Sequence, residues 1–400
     1  MDPDIVARVS VLHFERAEYA ARLTAVKERM CAEKIDVLVV TEPPNMYYLT
    51  GFDAYSFYVP QAVVVALHLD LPIWTGRFMD AVTAQSTTYL PSDHIVPYPD
   101  HYVQSTERHP MTFIGNLIAN KGWSHASIGV EMGAPYYSAR NHSELQKALP
   151  KARFQDAELL VNWVRIVKSK QELEYMRAAG ETTDRMVAAA ARAAHPDIRE
   201  CDLASAIVEV QLKGTERHGG MPSSGAPMIC AGARANEPHP AWNDQKLGNN
   251  VPVNIEMAGV CHRYHAPIGR TFYLGAPPHS YRDLAERVAA GVHAALDVVK
   301  PGASCEAVEA TWRNTLAQWG LEKEARLGYP TGIAFAPTWG ERTASLRKGD
   351  TTELKQGMVF HMMGGLWIEG TGVTITQTFV VTDSGHENLT KNPRELIIIP

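Results

Sequence analysis

The sequence lacks three features that would each place it in a recognisable class. It has no run of about 18 apolar residues without charge, which argues against a membrane span. Its net charge of −6 offers no basic field to attract nucleic acid. Its five cysteines are few, odd in number and without a Cys-x-x-Cys pair, which argues against a disulfide framework or a zinc ribbon. The acidic N-terminus does not resemble a secretory signal, so a cytoplasmic location is predicted.

What the sequence does contain is typical of a globular enzyme-sized protein. Of its 400 residues, 45% are hydrophobic and 20% are charged, which is enough to bury a large core. The length predicts two domains. A small molecule or peptide is the expected partner, with no role for nucleic acid or a membrane.

The first 165 residues show an alternation of helical and strand patterns. Apolar residues at helical spacing over 16–33 precede a β-branched run at 35–40 that ends at Pro43 and Pro44. Further strands are predicted at 62–67, 72–75 and 127–131, with a helix at 112–119. Residues 1–165 are therefore predicted to form one α/β domain.

After residue 165 a second pattern begins and then repeats. Two helices precede a group of strands, and the same order follows again; the helices are at 172–194, 199–213, 281–299 and 305–319, and the strands at 226–274 and 328–381. A duplicated unit of this kind packs its helices outside one curved sheet and leaves a cleft on the concave face. The predicted fold class is α+β, with residues 166–400 as the catalytic domain.

A hairpin sequence links this layout to a known family. Residues 254–272, NIEMAGVCHRYHAPIGRTF, resemble the metal-binding hairpin of the M24 peptidases, which include the creatinases and aminopeptidase P. The resemblance extends over nearly the whole chain. It implies the pita-bread fold for the second domain and a creatinase-type N-terminal domain for the first.

The metal ligands of that family are missing at the matching positions. Metallo-members hold two divalent ions with five side chains, but here the positions carry Glu256, Pro267, Tyr329, Met363 and Thr376. A single carboxylate cannot neutralise two dications, and a phenol is a poor ligand at neutral pH. No metal and no other cofactor is therefore expected.

Two residues are predicted to be catalytic. His239 occupies the position of the histidine with which creatinase, by resemblance, hydrolyses a cationic substrate without metal. Glu256 is the acid left at the centre of the former metal site. A protonated amidine carries its own positive charge on the N–C–N group, so it needs a buried anion rather than a Lewis acid. His239 and Glu256 would share the proton transfers, or Glu256 would attack the amidine carbon directly.

Two segments of the N-terminal domain narrow the expected substrate. Residues 50–58 and 98–110 resemble the members of this family that open the cyclic amidine ectoine to an N-acetylated 2,4-diaminobutyrate. The resemblance also implies a homodimer and a functional link to a deacetylase.

Eight further residues are predicted to bind the substrate. Aromatic rings would surround the cationic ring, an arginine would pair with the carboxylate, and polar side chains would fill the vacated metal cavity. These residues are Tyr55, Phe57, His265, Arg326, Tyr329, Trp339, Glu341 and His361.

Three other functions are compatible with the same sequence. A creatinase-like amidinohydrolase would use the same histidine and glutamate on a linear guanidino acid. A metal-dependent Xaa-Pro peptidase or lyase would need a ligand set that stray histidines such as His265 and His361 would have to supply. A non-catalytic binding module would turn over no amidine.

Overall fold

A five-stranded sheet organises the first part of the fold and a nine-stranded sheet the second. The computed structural model describes residues 12–157, 159–368 and 370–400, and the chain divides into two units, Met1–Arg165 and Ile166–Pro400. Of the helices in the described ranges, none combines the length and the apolar character needed to cross a bilayer.

The first unit is a five-stranded sheet with helices on its faces. Its helices are α1 (Arg16–Ala32), α2 (Pro43–Thr50), α3 (Ala81–Thr87), α4 (Pro110–Asn120), α5 (Ala139–Ala148) and α6 (Leu160–Arg165). Its strands are β1 (Val37–Val40), β2 (Ala62–Ala66), β3 (Ile73–Thr75), β4 (Ser127–Val130) and β5 (Arg153–Asp156). The strand order is β3-β2-β1-β4-β5. Strands β1, β4 and β5 are parallel to one another, whereas β2 pairs in the antiparallel direction with both β1 and β3.

The apolar runs of this unit explain its layers. All four residues of β1 are buried, as expected for a central strand covered on both faces. Val39 and Ile128 of the sheet share one core with Ile114 of α4 and Leu145 of α5. Pro43 was predicted to end the first strand region; it also begins α2, because proline fits the first turn of a helix.

The second unit contains the duplicated pattern. Its helices are α7 (Lys170–Ala193), α8 (Glu200–Lys213), α9 (His279–Asp297) and α10 (Cys305–Ala317). Its strands are β6 (Met228–Ala231), β7 (Val251–Cys261), β8 (Tyr264–Leu274), β9 (Gly328–Phe335), β10 (Thr338–Gly340), β11 (Val359–Met362), β12 (Gly365–Ile368), β13 (Thr371–Thr374), β14 (Gln377–Val381), β15 (His386–Asn388) and β16 (Ile397–Ile399). The two predicted helix pairs are confirmed.

Most of these strands belong to one nine-stranded sheet. The order β15-β14-β11-β9-β8-β7-β6 forms its main path, while β10 pairs with β9 and β16 pairs with β8. The long hairpin of β7 and β8 places Glu256 opposite Gly269, and β6 places Met228 on its other side. Glu256 therefore lies in the interior of the sheet, where its backbone is held by strands on both sides.

Helix α7 packs directly against the strand that carries Glu256. A capping box of Ser169 and Glu172 fixes the start of α7. At Gly259 the backbone of β7 approaches the backbone of α7 very closely. A Cβ atom at residue 259 would lie 2.3 Å from the carbonyl oxygen of Ala179. The Gly259 N–H donates to the hydroxyl of Thr183 at 2.8 Å. A side chain at residue 259 would separate helix and strand.

We expect the Gly259→Ala variant to be destabilised by about 1–3 kcal/mol, because the new methyl group overpacks the contact between α7 and β7. Urea denaturation of both proteins measures this difference in the free energy of unfolding. Gly219→Ala is the matched control, since a Cβ atom there meets nothing within 4 Å. Equal stability of the two variants would contradict the close packing.

Candidate functional site

A cavity of about 690 Å³ opens in the second unit, beside the middle of the sheet. This volume is within the range of small-molecule sites. Strand residues line one part of it, among them Glu256, Tyr329 and Trp339, while loop residues such as His239 and Lys323 line another. The cavity therefore combines a rigid sheet with chemical groups supplied by loops.

The Glu256 carboxyl is the acid of this cavity. The side chain is only 7% exposed, and burial raises its pKa to about 7, an effect that Lys323 partly opposes. Among the described residues no hydrogen-bond donor contributes to this pKa. Buried carboxylates normally have such donors, so this one is suited to a donor that arrives with a ligand.

The Lys323 ammonium is the second charged group, and the sequence analysis did not identify it. Its Nζ donates a hydrogen bond to the carbonyl oxygen of Met363 and lies 5.3 Å from the ring centroid of Trp367. Burial lowers its pKa to about 7, while Glu256 acts in the opposite direction. The cavity thus holds an acid and a lysine whose charges influence each other.

A chain of hydrogen bonds fixes the hydroxyl of Tyr329. The indole N–H of Trp339 donates to it at 2.8 Å, and Nδ1 of His361 lies 3.2 Å away. On the other side of the His361 ring, Nε2 lies 2.8 Å from the hydroxyl of Thr376, which accepts from the Gly269 N–H.

The direction of this chain depends on which ring nitrogen of His361 carries the proton. Burial lowers the pKa of His361 to about 3, so the ring is neutral and carries one proton. That proton lies either on Nδ1, which then donates to the Tyr329 hydroxyl, or on Nε2, which then donates to Thr376 while Tyr329 donates to Nδ1. The Tyr329 O–H is also the donor to Sδ of Met363, a weak hydrogen bond of 4.0 Å. In either tautomer the His361 ring orients the Tyr329 hydroxyl. Burial raises the pKa of Tyr329 above its ordinary value, so the phenol stays protonated.

Two loop residues complete the polar lining. His239 lies at the exposed edge of the cavity, in the loop between β6 and β7. Arg326 also lines it, with its guanidinium 4.5 Å from the ring centroid of Tyr329. The structure therefore brings together five of the predicted site residues, namely His239, Glu256, Arg326, Tyr329 and Trp339, with His361 directly behind Tyr329.

Two predicted residues have structural partners instead. His265 is fully buried, with Nε2 accepting from the Ser224 N–H at 2.9 Å and Nδ1 lying 2.8 Å from the Arg263 carbonyl oxygen. Glu341 is 1% exposed and forms an ion pair with Lys168 at 2.8 Å. Neither is among the residues that line the cavity, and their assignment to the substrate site stays a prediction.

The two aromatic residues predicted from the first domain belong to the first unit. Tyr55 is exposed, and Phe57 packs against Tyr136 with 5.1 Å between ring centroids. The cavity lining comes from the second unit. The assignment of Tyr55 and Phe57 to a substrate site stays a prediction.

Comparisons with known proteins cover both units. Residues 174–383 match the model of metallopeptidase family M24, and residues 22–167 match the creatinase/prolidase N-terminal domain. A hydrolase/peptidase of Sinorhizobium fredii, y4tM, is 53% identical over 97% of this chain and 99% of the relative. An ectoine hydrolase of Halomonas elongata is 41% identical over 97% of this chain and 98% of the relative.

Solved structures share the fold. The prolidase of Thermococcus sibiricus superimposes with a TM-score of 0.83 at 20% identity, covering 95% of this chain and 99% of that structure. The dipeptidase PepE of Mycobacterium ulcerans gives a TM-score of 0.79 at 23% identity, covering 97% and 99%. Together with the family matches, they confirm the predicted α+β pita-bread architecture with a creatinase-type N-terminal domain.

Proposed function

The chain belongs to metallopeptidase family M24 and is a hydrolase, and from this premise we propose that it opens the cyclic amidine ring of ectoine without a metal ion. The observation that carries the proposal is the cavity's buried Glu256, which has no hydrogen-bond donor among the described residues. The amidinium group of ectoine presents N–H donors to such a carboxylate. The 41% identity to an ectoine hydrolase over almost the full length supports the choice of substrate.

The residues around the cavity do not fit the pair of ions that the family name implies. Glu256 is the one carboxylate among the residues lining the cavity, and the Lys323 ammonium would repel a dication there. Both ring nitrogens of His361 and of His265 already have hydrogen-bond partners. We therefore derive no catalytic step through a metal.

The described chain does contain one group of three side chains with metal-ligating atoms close together. His218, Cys261 and His262 place one such atom each within 4.8 Å of the others. Among the described residues this is the one group of its kind, and none of its members lines the cavity. The chemistry of the cavity is consequently assigned to its own side chains.

The proposed reaction uses Glu256 to bring oxygen to the amidine carbon. In one route the carboxylate takes a proton from water, whose oxygen forms the new C–O bond; in the other a carboxylate oxygen attacks first and water releases the product. A pKa near 7 suits a general base that works at neutral pH. In both routes a ring C–N bond breaks, and its nitrogen leaves as an amine after taking up a proton.

Two further residues are proposed to assist. Tyr329, whose oxygen accepts from the Trp339 N–H, turns its own O–H from the weak contact with Sδ of Met363 to the charge that develops on the substrate. His239, at the cavity's exposed edge, exchanges protons between the departing nitrogen and solvent.

We expect turnover of ectoine to N-acetylated 2,4-diaminobutyrate to persist unchanged in excess chelator. The experiment follows this product by mass spectrometry with and without chelator, and elemental analysis of the purified protein accompanies it. Creatine is offered in parallel, with urea as the readout. Loss of activity in chelator with recovery on adding a divalent metal, or urea release from creatine in place of ectoine turnover, would contradict the proposal.

A cytoplasmic location and a homodimer are part of the same proposal. The five cysteines are all free, which is typical of a protein from a reducing compartment. The homodimer is what the family resemblance implies. The product is an acetylated amine, so a deacetylase is the class of enzyme that would act next.

A further inference from the structure

The cavity contains a cation for which the proposed catalytic steps have no use. Lys323 lies in the loop between α10 and β9, and its side chain reaches the same cavity as Glu256. Placing an ammonium inside a cavity removes it from water at a cost, so an unused lysine would be expected to extend into solvent. The enclosed position of Lys323 therefore indicates a function inside the cavity.

The contacts of the ammonium leave room for an anion. A lysine ammonium has three N–H donors. One donates to the Met363 carbonyl oxygen, and the ring of Trp367 lies beside the group. Among the described residues no carboxylate lies within ion-pair distance of Nζ, since Glu256 influences it only through its charge. Two donors therefore remain for a ligand that enters the cavity.

The two charged groups match a ligand with both signs of charge. Glu256 suits an amidinium and Lys323 suits a carboxylate, and the substrate of the proposed function carries both on one small ring. On this basis, which rests on the proposed function, we infer that Lys323 binds the substrate's carboxylate and makes the cavity selective for zwitterionic amidines.

The competing cation is Arg326, which the sequence predicted for this role. Its guanidinium lies against the Tyr329 ring, and its side chain is exposed. The Lys323 ammonium, in contrast, is held inside the cavity by the Met363 carbonyl oxygen and lies 5.3 Å from the ring centroid of Trp367. Lys323 is therefore the more enclosed of the two cations that line the cavity with Glu256.

The test compares two substrates that differ only in the carboxylate. Ectoine and 2-methyl-tetrahydropyrimidine, the same cyclic amidine without its carboxylate, are offered to the wild-type protein and to Lys323→Met. We expect the variant to lose roughly 10- to 100-fold in kcat/KM for ectoine, mainly through KM, as for the loss of charge-assisted hydrogen bonds. Its activity on the uncharged-tail analogue should be kept, and Lys323→Arg should recover part of the loss on ectoine.

The pH profile gives a second readout. Burial lowers the pKa of Lys323 to about 7, so kcat/KM for ectoine should fall above that pH, and this fall should be absent in Lys323→Met. The other titratable or charged groups around the ammonium are Glu256, His239, Arg326, Tyr329 and His361. Because Lys323 lowers the pKa of Glu256, the rising limb of the kcat/KM profile should move to higher pH in Lys323→Met.

Control variants separate the possible outcomes. Lys348→Met removes an exposed charge outside the cavity and should leave both substrates unaffected. Equal losses on both substrates in Lys323→Met, or loss of the carboxylate preference in Arg326→Met instead, would overturn the assignment of Lys323. Absence of ectoine turnover by the wild-type protein would instead overturn the proposed function. Thermal unfolding of each variant shows that it is folded.

Discussion

The Glu256→Gln variant should lose about 10²- to 10⁴-fold in kcat for ectoine, the range associated with a missing general base. Glutamine keeps the shape of the side chain but neither accepts a proton nor carries the charge that pairs with an amidinium. Steady-state kinetics with product detection by mass spectrometry measures the loss. The matched control is Glu324→Gln, an exposed acid in the loop that carries Lys323, which should retain wild-type kinetics.

The stability of the same variant distinguishes a functional acid from a structural one. Burial raises the pKa of Glu256 from 4.5 to about 7, so the folded state holds a proton that the unfolded state releases. The free energy of unfolding therefore falls as pH rises through this interval, and the glutamine variant lacks that fall. We expect it to unfold at the same or a higher temperature at neutral pH. Lower stability with unchanged kcat would mean that Glu256 is a structural residue.

The Glu341→Leu variant should be destabilised by about 3–5 kcal/mol, because it leaves the buried ammonium of Lys168 without its carboxylate. Urea denaturation measures this loss. The double variant Lys168→Met with Glu341→Leu should recover much of it, since both charges are then absent. Glu209, whose ion pair with Lys213 is exposed, provides the control: Glu209→Leu should cause no measurable change.

The same variant tests whether Glu341 binds the substrate or serves the ion pair with Lys168. If its role is the ion pair with Lys168, the folded fraction of Glu341→Leu binds ectoine with an unchanged KM. A raised KM combined with wild-type stability would return Glu341 to the substrate site, as the sequence first indicated. The two measurements are independent, so neither result depends on the other.

Much of the fold could be predicted because it follows from periodicity along the chain. The helix pairs in the second unit have apolar residues at helical spacing, and the strands between them are interrupted by proline and glycine. The last strands were not predicted: β15 is partly exposed, and the isoleucine run of β16 is only three residues long. Segments this short depend on pairing with strands that are distant in sequence.

The candidate site was predictable where a sequence motif marks it. Glu256 and Tyr329 occupy positions of a family motif, and both line the cavity. His265 is on the same hairpin as Glu256 but pairs with Val260, four residues further along β7. At about 3.4 Å per residue, that separation takes it roughly 14 Å away from the acid along the strand.

The residues whose contacts the sequence did not reveal depend on distant partners. Lys323 lies in a charged loop between Glu322 and Glu324, and nothing in its local sequence distinguishes it from a solvated lysine. Glu341 follows a cavity residue, Trp339, but its partner Lys168 is 173 residues earlier. Such pairings arise only when the chain has folded, so local patterns do not reveal them.

The chain segments that carry Glu256 and Lys323 differ in how well they tolerate a change of backbone structure. Glu256 is held by strands on both sides, so a shift at that site disturbs the backbone pairing of the central sheet. Lys323 is carried by a connection that belongs to no strand. With Lys323 in the role proposed for it, replacement or lengthening of that connection would alter which acidic group the protein accepts and would leave the strands around Glu256 in place.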